Sequence, residues 1–401
     1  MKKFICVAAA LIFASVLFSQ AQTANQAPTI VYYDSAFFPL YGKAESDDLQ
    51  ASVANALSVT PGVLSPMPDT CKTASQTTRY RRLPERLHGV SREPVWNLGC
   101  NSAGLYIRFR TNSTAIYARW ESEGPVNMNH MTMTGIRGLD LYTLEDGEWN
   151  FVCSGRPRST ADRYTQAKII SHMKPEMREY MLYLSLYDGI KSLALGVDDS
   201  AQLLLPEVQS PATGNPIVFY GTSILQGGCA NRPGMAFTNI IARRLNRETI
   251  NLGFSGNAFL DTEIAELMAG VENPAVYVFD YVPNASPAKI KEKGEAFFRI
   301  IRDAHPNVPI IFVEDPIFPH SRVDQEMEEE VRTKNIEQKA LYERLKKAGE
   351  KNIFYLPAEG MIGDDYEATV DGCHFTDLGM VRYTEHIMPV LKKALKAASK
   401  L

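Results

Sequence analysis

Ile217-Val-Phe-Tyr-Gly-Thr-Ser-Ile-Leu225 opens as a short apolar run, breaks at a glycine and passes into a helical pattern. Four further runs follow, Thr249-Ile-Asn-Leu252, Val276-Tyr-Val-Phe279, Ile310-Ile-Phe-Val313 and Ile353-Phe-Tyr-Leu356. Windows of helical periodicity lie near 234–246, 287–304, 325–349 and 377–398. Short strands apolar on both faces, alternating with helices, predict a parallel sheet covered on both sides, an α/β domain over residues 217–401. In such sheets reactive groups gather beyond the carboxyl ends of the strands.

Upstream, from about Thr29 to Leu205, the period is two. Gly104-Leu-Tyr-Ile-Arg-Phe-Arg110, Ala115-Ile-Tyr-Ala-Arg-Trp120 and Glu179-Tyr-Met-Leu-Tyr-Leu-Ser-Leu-Tyr187 alternate apolar with polar residues, as half-buried strands do. Asp146-Gly147 between two such runs is a hairpin signal, because the tight turn needs positive φ. Antiparallel strands without long helices predict a β-sandwich over 29–205, and Ser210, Pro211, Gly214 and Asn215 give 206–216 the composition of a linker. Met128, Met131 and Met133 are expected to fill the core of that sandwich.

The chain starts Met1-Lys2-Lys3, continues with an apolar run from Phe4 to Phe18 and then Ser19-Gln20-Ala21. This pattern predicts an export signal over 1–21, too short to span a bilayer, and hence a bacterial periplasmic or extracellular protein without stable membrane insertion. With 401 residues, 45% hydrophobic and 22% charged, the composition is that of a folded protein rather than a disordered one. A net charge of -4 with scattered basic residues offers no stripe for phosphates, so nucleic acid is excluded as a partner. Behind the leader stand Cys71, Cys100, Cys153, Cys229 and Cys373, an odd number without CxxC spacing; no metal or cofactor is expected.

Ser223 falls where the first apolar run ends and a helix begins. A hydroxyl there sits at the sheet's carboxyl edge, near helix amides able to donate to a developing oxyanion; the plainer reading is a helix cap. Val370-Asp-Gly-Cys-His374 lies between the last strand and the last helix. Asp371 can orient one nitrogen of His374 while the other faces a nucleophile, although a D-x-x-H alone also suits a simple turn.

Taken together these blocks resemble the SGNH, or GDSL-like, hydrolase superfamily over about 185 residues. Gly221-Thr-Ser223 corresponds to the Gly-Asp-Ser block with Thr222 in place of the acid. Asn251-Leu-Gly-Phe-Ser-Gly256 is similar to the second block, Asp280-Tyr-Val-Pro-Asn284 to the third with Pro283 in place of a glycine, and Asp371-Gly-Cys-His374 to the last. The resemblance implies a three-layer flavodoxin-like fold and a triad of Ser223, His374 and Asp371. It also implies an oxyanion hole made by the amides of Ser223 and Gly256 with the Asn284 side chain. The first half resembles, more loosely, the jelly-roll-like sandwich that precedes the catalytic domain in exported bacterial relatives. Those relatives imply small acyl esters, especially acetyl groups on carbohydrate, as substrates. Lipid or thioester acyl groups, and a glycan-binding surface protein without catalysis, are the competing readings.

The triad would draw Cys229 and Cys373 together, and in an exported protein a disulfide bracing the site is expected, with two buried thiols as the alternative. His320 either lines the cleft or lies on an exposed loop, and Asp377 is expected to cap the last helix. Trp96, Trp120 and Trp149 could stack on sugars if exposed, or pack in the core.

Overall fold

The computed structural model describes residues 29–45, 78–124, 126–159, 161–207 and 212–399. The expected leader, with Cys6, and Cys71 lie outside the described residues. No described helix is long and apolar enough to cross a membrane.

The first half contains β1 (Ile30–Asp34), β2 (Leu40–Tyr41), α1 (Glu93–Gly99), β3 (Tyr106–Thr111), β4 (Ile116–Ser122) and α2 (Met133–Arg137). It continues with β5 (Leu139–Glu145), β6 (Glu148–Gly155), β7 (Tyr164–Ile170), β8 (Arg178–Tyr183), β9 (Ile190–Asp198) and β10 (Leu203–Leu204). Two antiparallel sheets result, ordered β1-β9-β4-β7 and β10-β3-β8-β5-β6, with β2 beside β3. They are the expected sandwich. Ile107 and Phe109 of one sheet and Ala118 and Trp120 of the other meet in a single apolar cluster, which is why those strands alternate. β5 and β6 are joined at Asp146-Gly147, both at positive φ (52° and 82°), as a two-residue hairpin requires.

The second half contains β11 (Ala212–Gly221), α3 (Ser223–Gln226), α4 (Phe237–Leu245), β12 (Arg247–Gly253), α5 (Thr262–Ala269) and β13 (Val276–Asp280). α6 (Pro287–Ala304), β14 (Ile310–Val313), α7 (Gln325–Lys347), β15 (Ile353–Leu356) and α8 (Asp377–Ala398) complete it. All five strands are parallel in the order β12-β11-β13-β14-β15. That is the flavodoxin-like winding, whose switch point lies at the carboxyl end of β11. Along β11, Ile217 and Phe219 face α4 and α8, while Val218 and Tyr220 face α5, α6 and α7. Burial on both faces explains the unbroken apolar run. β11 starts earlier than its apolar run: Ala212 pairs with Arg247 before a bulge, so strand occupies part of the segment expected to be linker.

The first half also packs on both faces of this α/β layer. Met131, Ile136, Leu186 and Tyr187 join the cluster of α4 and α8, and Leu83, Leu87, Val95 and Trp96 join that of α5 and α6. Met131, with Met128 beside it, therefore fills the α/β core instead of the sandwich, and Met133 begins α2. The reason is positional: this segment leaves the sheets to reach the second half. Trp96, Trp120 and Trp149 are all buried, so none offers a sugar-stacking face. Trp120 Nε1 donates to the Arg137 carbonyl, Trp149 lies beneath the Arg108 guanidinium, and Trp96 stacks on His88.

Candidate active site

β11 ends at Gly221, where a Cβ would stand 2.3 Å from the Asp280 carbonyl oxygen of the neighbouring strand. Only glycine lets the chain turn there. The cap of α3 is Thr222, whose hydroxyl accepts from the Ile224 amide at 3.3 Å. Capping by Thr222 leaves Ser223, the first helical residue, with its hydroxyl free for other chemistry. Its Oγ lies 2.9 Å from His374 Nε2.

Asp371 satisfies both of its readings at once. Its Oδ1 accepts from the amides of Cys373 and His374 at 3.0 and 2.8 Å, forming the local turn, and its Oδ2 lies 2.7 Å from His374 Nδ1. Burial pulls this carboxyl up, but the hydrogen bonds from the His374 ring and from the two amides outweigh it and hold it at about 2. An ionised carboxylate only accepts, so the imidazole proton resides on Nδ1 and Nε2 presents its lone pair to Ser223.

Gly256, in the turn after β12, is exposed at φ 66°. Asn284 closes a 3-10 turn after β13, and its Oδ1 accepts from the Ala258 amide at 3.2 Å. That bond fixes which end of the side chain is which, leaving Nδ2 as the donor. Ser223, Gly256 and Asn284 thus follow β11, β12 and β13, three adjacent strands, at their carboxyl ends.

The supports of the site come from residues that carry no motif. The buried Arg82 guanidinium donates to the carbonyls of Leu98, Asn101, Asn251 and Gly253, tying the first half to the end of β12. The Tyr187 hydroxyl donates to the Ser223 carbonyl, and Gln226 joins the Ser255 amide to Asn101. Gly228 is pressed against the same group: a Cβ there would stand 2.9 Å from Ser223 O and 3.2 Å from His374 Cδ2. Behind the sheet edge, Asp280 is buried and accepts from the Tyr383 hydroxyl at 2.8 Å. Desolvation pushes it up to about 8, and pushes nearby Asp315 up to about 7 despite Lys334 Nζ at 3.6 Å.

Three expectations are corrected. Cys229 and Cys373 are free thiols. The Cys229 sulfur faces the His130 and His374 imidazoles, and Cys373 packs, partly buried, against the apolar cluster of α4 and α8. The cap of α8 is Thr376, whose hydroxyl accepts from the Gly379 amide, because Asp377 is engaged by the backbone and side-chain nitrogens of Asn231. His320 is not on a free loop; its Nδ1 is 3.0 Å from where a Cβ of Gly372 would stand, so it backs the turn carrying Asp371.

Comparison with known proteins agrees with this architecture. A family profile described as GDSL-like lipase/acylhydrolase matches residues 214–392, and one described as the N-terminus of SGNH-hydrolase-type esterases matches 68–203. The latter is named for Gly-x-Asp-Leu-Tyr, which in this chain is Gly138-Leu-Asp-Leu-Tyr142. Asp140 there accepts from Arg232 and from the Gly234 amide, both at 2.8 Å, and so locks the two halves together. No curated protein matches. The crystal structure of a candidate GDSL-like lipase from Bacteroides ovatus is similar at 32% identity and TM-score 0.80, over 92% of this chain and 98% of that one. A salicylyl-acyltransferase from a tetracycline biosynthetic pathway shares the fold at 16% identity and TM-score 0.67, over 92% and 98%. A family two carbohydrate esterase from Clostridium thermocellum, solved with cellohexaose, does so at 13% and 0.53, over 74% and 94%. The chain belongs to the GDSL-like, or SGNH, lipase/acylhydrolase family and is a carboxylic ester hydrolase.

Proposed function

We propose that this protein removes small acyl groups, acetyl above all, from carbohydrate through an acyl-enzyme on Ser223. The observation that carries the reading is the unbroken hydrogen-bond chain Ser223 Oγ, His374 Nε2, His374 Nδ1, Asp371 Oδ2, at 2.9 and 2.7 Å. His374 Nε2 takes the hydroxyl proton as Oγ bonds to the ester carbonyl carbon. The oxygen that gains the electron pair is received by the amides of Ser223 and Gly256 and by Asn284 Nδ2. Collapse breaks the bond to the sugar oxygen, which leaves with the proton from His374. Water then repeats the sequence on the acyl-enzyme, releasing the acid and restoring Ser223. Asp371 stays ionised throughout and stabilises the imidazolium.

A carbohydrate substrate is supported by the shared fold of the cellohexaose-bound esterase. The intact triad speaks against a glycan-binding protein without catalysis, and the leader at 1–21 supports a periplasmic or extracellular location. Release of acetate from acetylated xylan, mannan and pectin should exceed hydrolysis of long-chain acyl esters. Ser223→Ala should lower turnover of p-nitrophenyl acetate by about 10⁴-fold or more with an unchanged melting curve. A folded variant that keeps its turnover would remove Ser223 as the nucleophile.

A further inference from the structure

His130 reaches over the site from the segment before α2, and its ring centroid lies 5.2 Å from that of His374. Cys229 is buried close by at φ 69°, a backbone conformation that non-glycine residues adopt rarely and that costs on the order of 1 kcal/mol. One nitrogen of each imidazole and the Cys229 sulfur lie within 4.8 Å of one another. The triad needs neither His130 nor Cys229, so their convergence on His374 has no explanation in ester hydrolysis.

Two imidazoles and a thiol are the donors that borderline-soft divalent ions select. Both rings are also held as ligating histidines are held. His374 Nδ1 is engaged by Asp371 at 2.7 Å and His130 Nδ1 by Asn129 Oδ1 at 3.2 Å, which leaves Nε2 of each ring as the nitrogen with a lone pair. Tetrahedral zinc asks for donors about 3.3–3.7 Å apart, so closing the present cluster by roughly 1 Å, within reach of side-chain rotation, completes three protein ligands. His374 Nε2 lies 2.9 Å from Ser223 Oγ, so an ion bound to it stands beside the serine hydroxyl.

We propose that His130, Cys229 and His374 form a site for Zn²⁺ or a similar divalent transition ion, and that its occupancy switches the serine chemistry off. Binding exchanges the Cys229 thiol proton for the metal and releases that proton to solvent, with no change of oxidation state. The metal takes the Nε2 lone pair that otherwise accepts the Ser223 proton. The binding half rests on geometry alone; the inhibitory half rests on the reading of His374 as the base.

Titration of the full-length protein with Co²⁺ reads the site directly. The expected result is a thiolate-to-cobalt charge-transfer band saturating at one ion per chain, present in Ser223→Ala and lost in both Cys229→Ala and His130→Ala. With p-nitrophenyl acetate, Zn²⁺ should inhibit the wild type reversibly, with recovery on adding EDTA, and the half-inhibitory concentration should rise at least about tenfold in each ligand variant. Absence of the band in the wild type, or a band unchanged in both ligand variants, overturns the site. Stoichiometric binding without inhibition overturns the switch and counts against His374 as the base, a result separate from any failure of the Ser223→Ala test.

Discussion

The Tyr187 hydroxyl donates to the Ser223 carbonyl oxygen at 3.2 Å, so a residue of the β-rich half holds the serine's backbone from behind. A neutral hydrogen bond contributes about 1 kcal/mol. Tyr187→Phe should therefore lower the melting temperature by only about 2–4 °C, while kcat falls several-fold with KM nearly unchanged, because the serine loses alignment more than the protein loses stability. Steady-state kinetics and a thermal melt check both.

Gly228 admits no side chain. A Cβ would press on Ser223 O, on Tyr187 Oη at 2.9 Å and on the His374 ring. Gly228→Ala should cost about 1–3 kcal/mol and reduce kcat by at least about tenfold, since Ser223 and His374 must move apart to make room. Denaturant unfolding together with kcat measures the pair of effects.

Asp371→Asn keeps the shape of the turn but removes the charge that, in the proposed mechanism, stabilises the imidazolium. A fall in kcat of about 10³–10⁴ is expected, with KM little altered. The carboxyl is held at about 2, below its ordinary value near 3.8, so the stability it contributes is present above about pH 4 and is lost as pH falls toward 2. The wild type should accordingly lose melting temperature faster than Asp371→Asn between pH 4 and pH 2.

Asp280 gives the opposite sign. Burial raises it to about 8, so the neutral form is favoured in the folded protein; its stabilising share is complete below about pH 4 and lost as pH rises through 8. Asn can still accept the Tyr383 hydroxyl bond. Asp280→Asn should match the wild type's melting temperature near pH 4 and exceed it by several degrees at pH 9, read by melts across that range.

Arg82 places a charge with no acidic partner among the described residues against four backbone carbonyls, and replacing it with Met removes all four of those hydrogen bonds at once. Arg82→Met is expected to cost about 3 kcal/mol or more and to lower kcat through the loosened Gly256 turn. Chemical denaturation and kinetics on the purified variant test both parts.

The parallel sheet was legible because strands buried on both faces read as apolar runs, and four long helices showed their period over two to six turns. α1, α2 and α5, of five to eight residues, are too short to establish one. β9 escaped for another reason: burial at nearly every position erases its alternation. In the site, Ser223, Asp371 and His374 were readable because each sits in a local turn with a characteristic neighbour. Arg82 and Tyr187 were not, since their partners are main-chain oxygens 169 and 36 positions away, which leave no trace in residue types. His130 stood outside every block.

The packing of Leu83, Val95, Met131 and Leu186 into the two α/β clusters means that neither half was shaped to meet water along that seam. A truncation at the junction would strip oily surface bare and take away the clamp at Ser223 as well. Shuffling by recombination should therefore conserve both portions as one inherited piece, and attempts to shrink the enzyme to its Ser223-bearing part should yield insoluble protein.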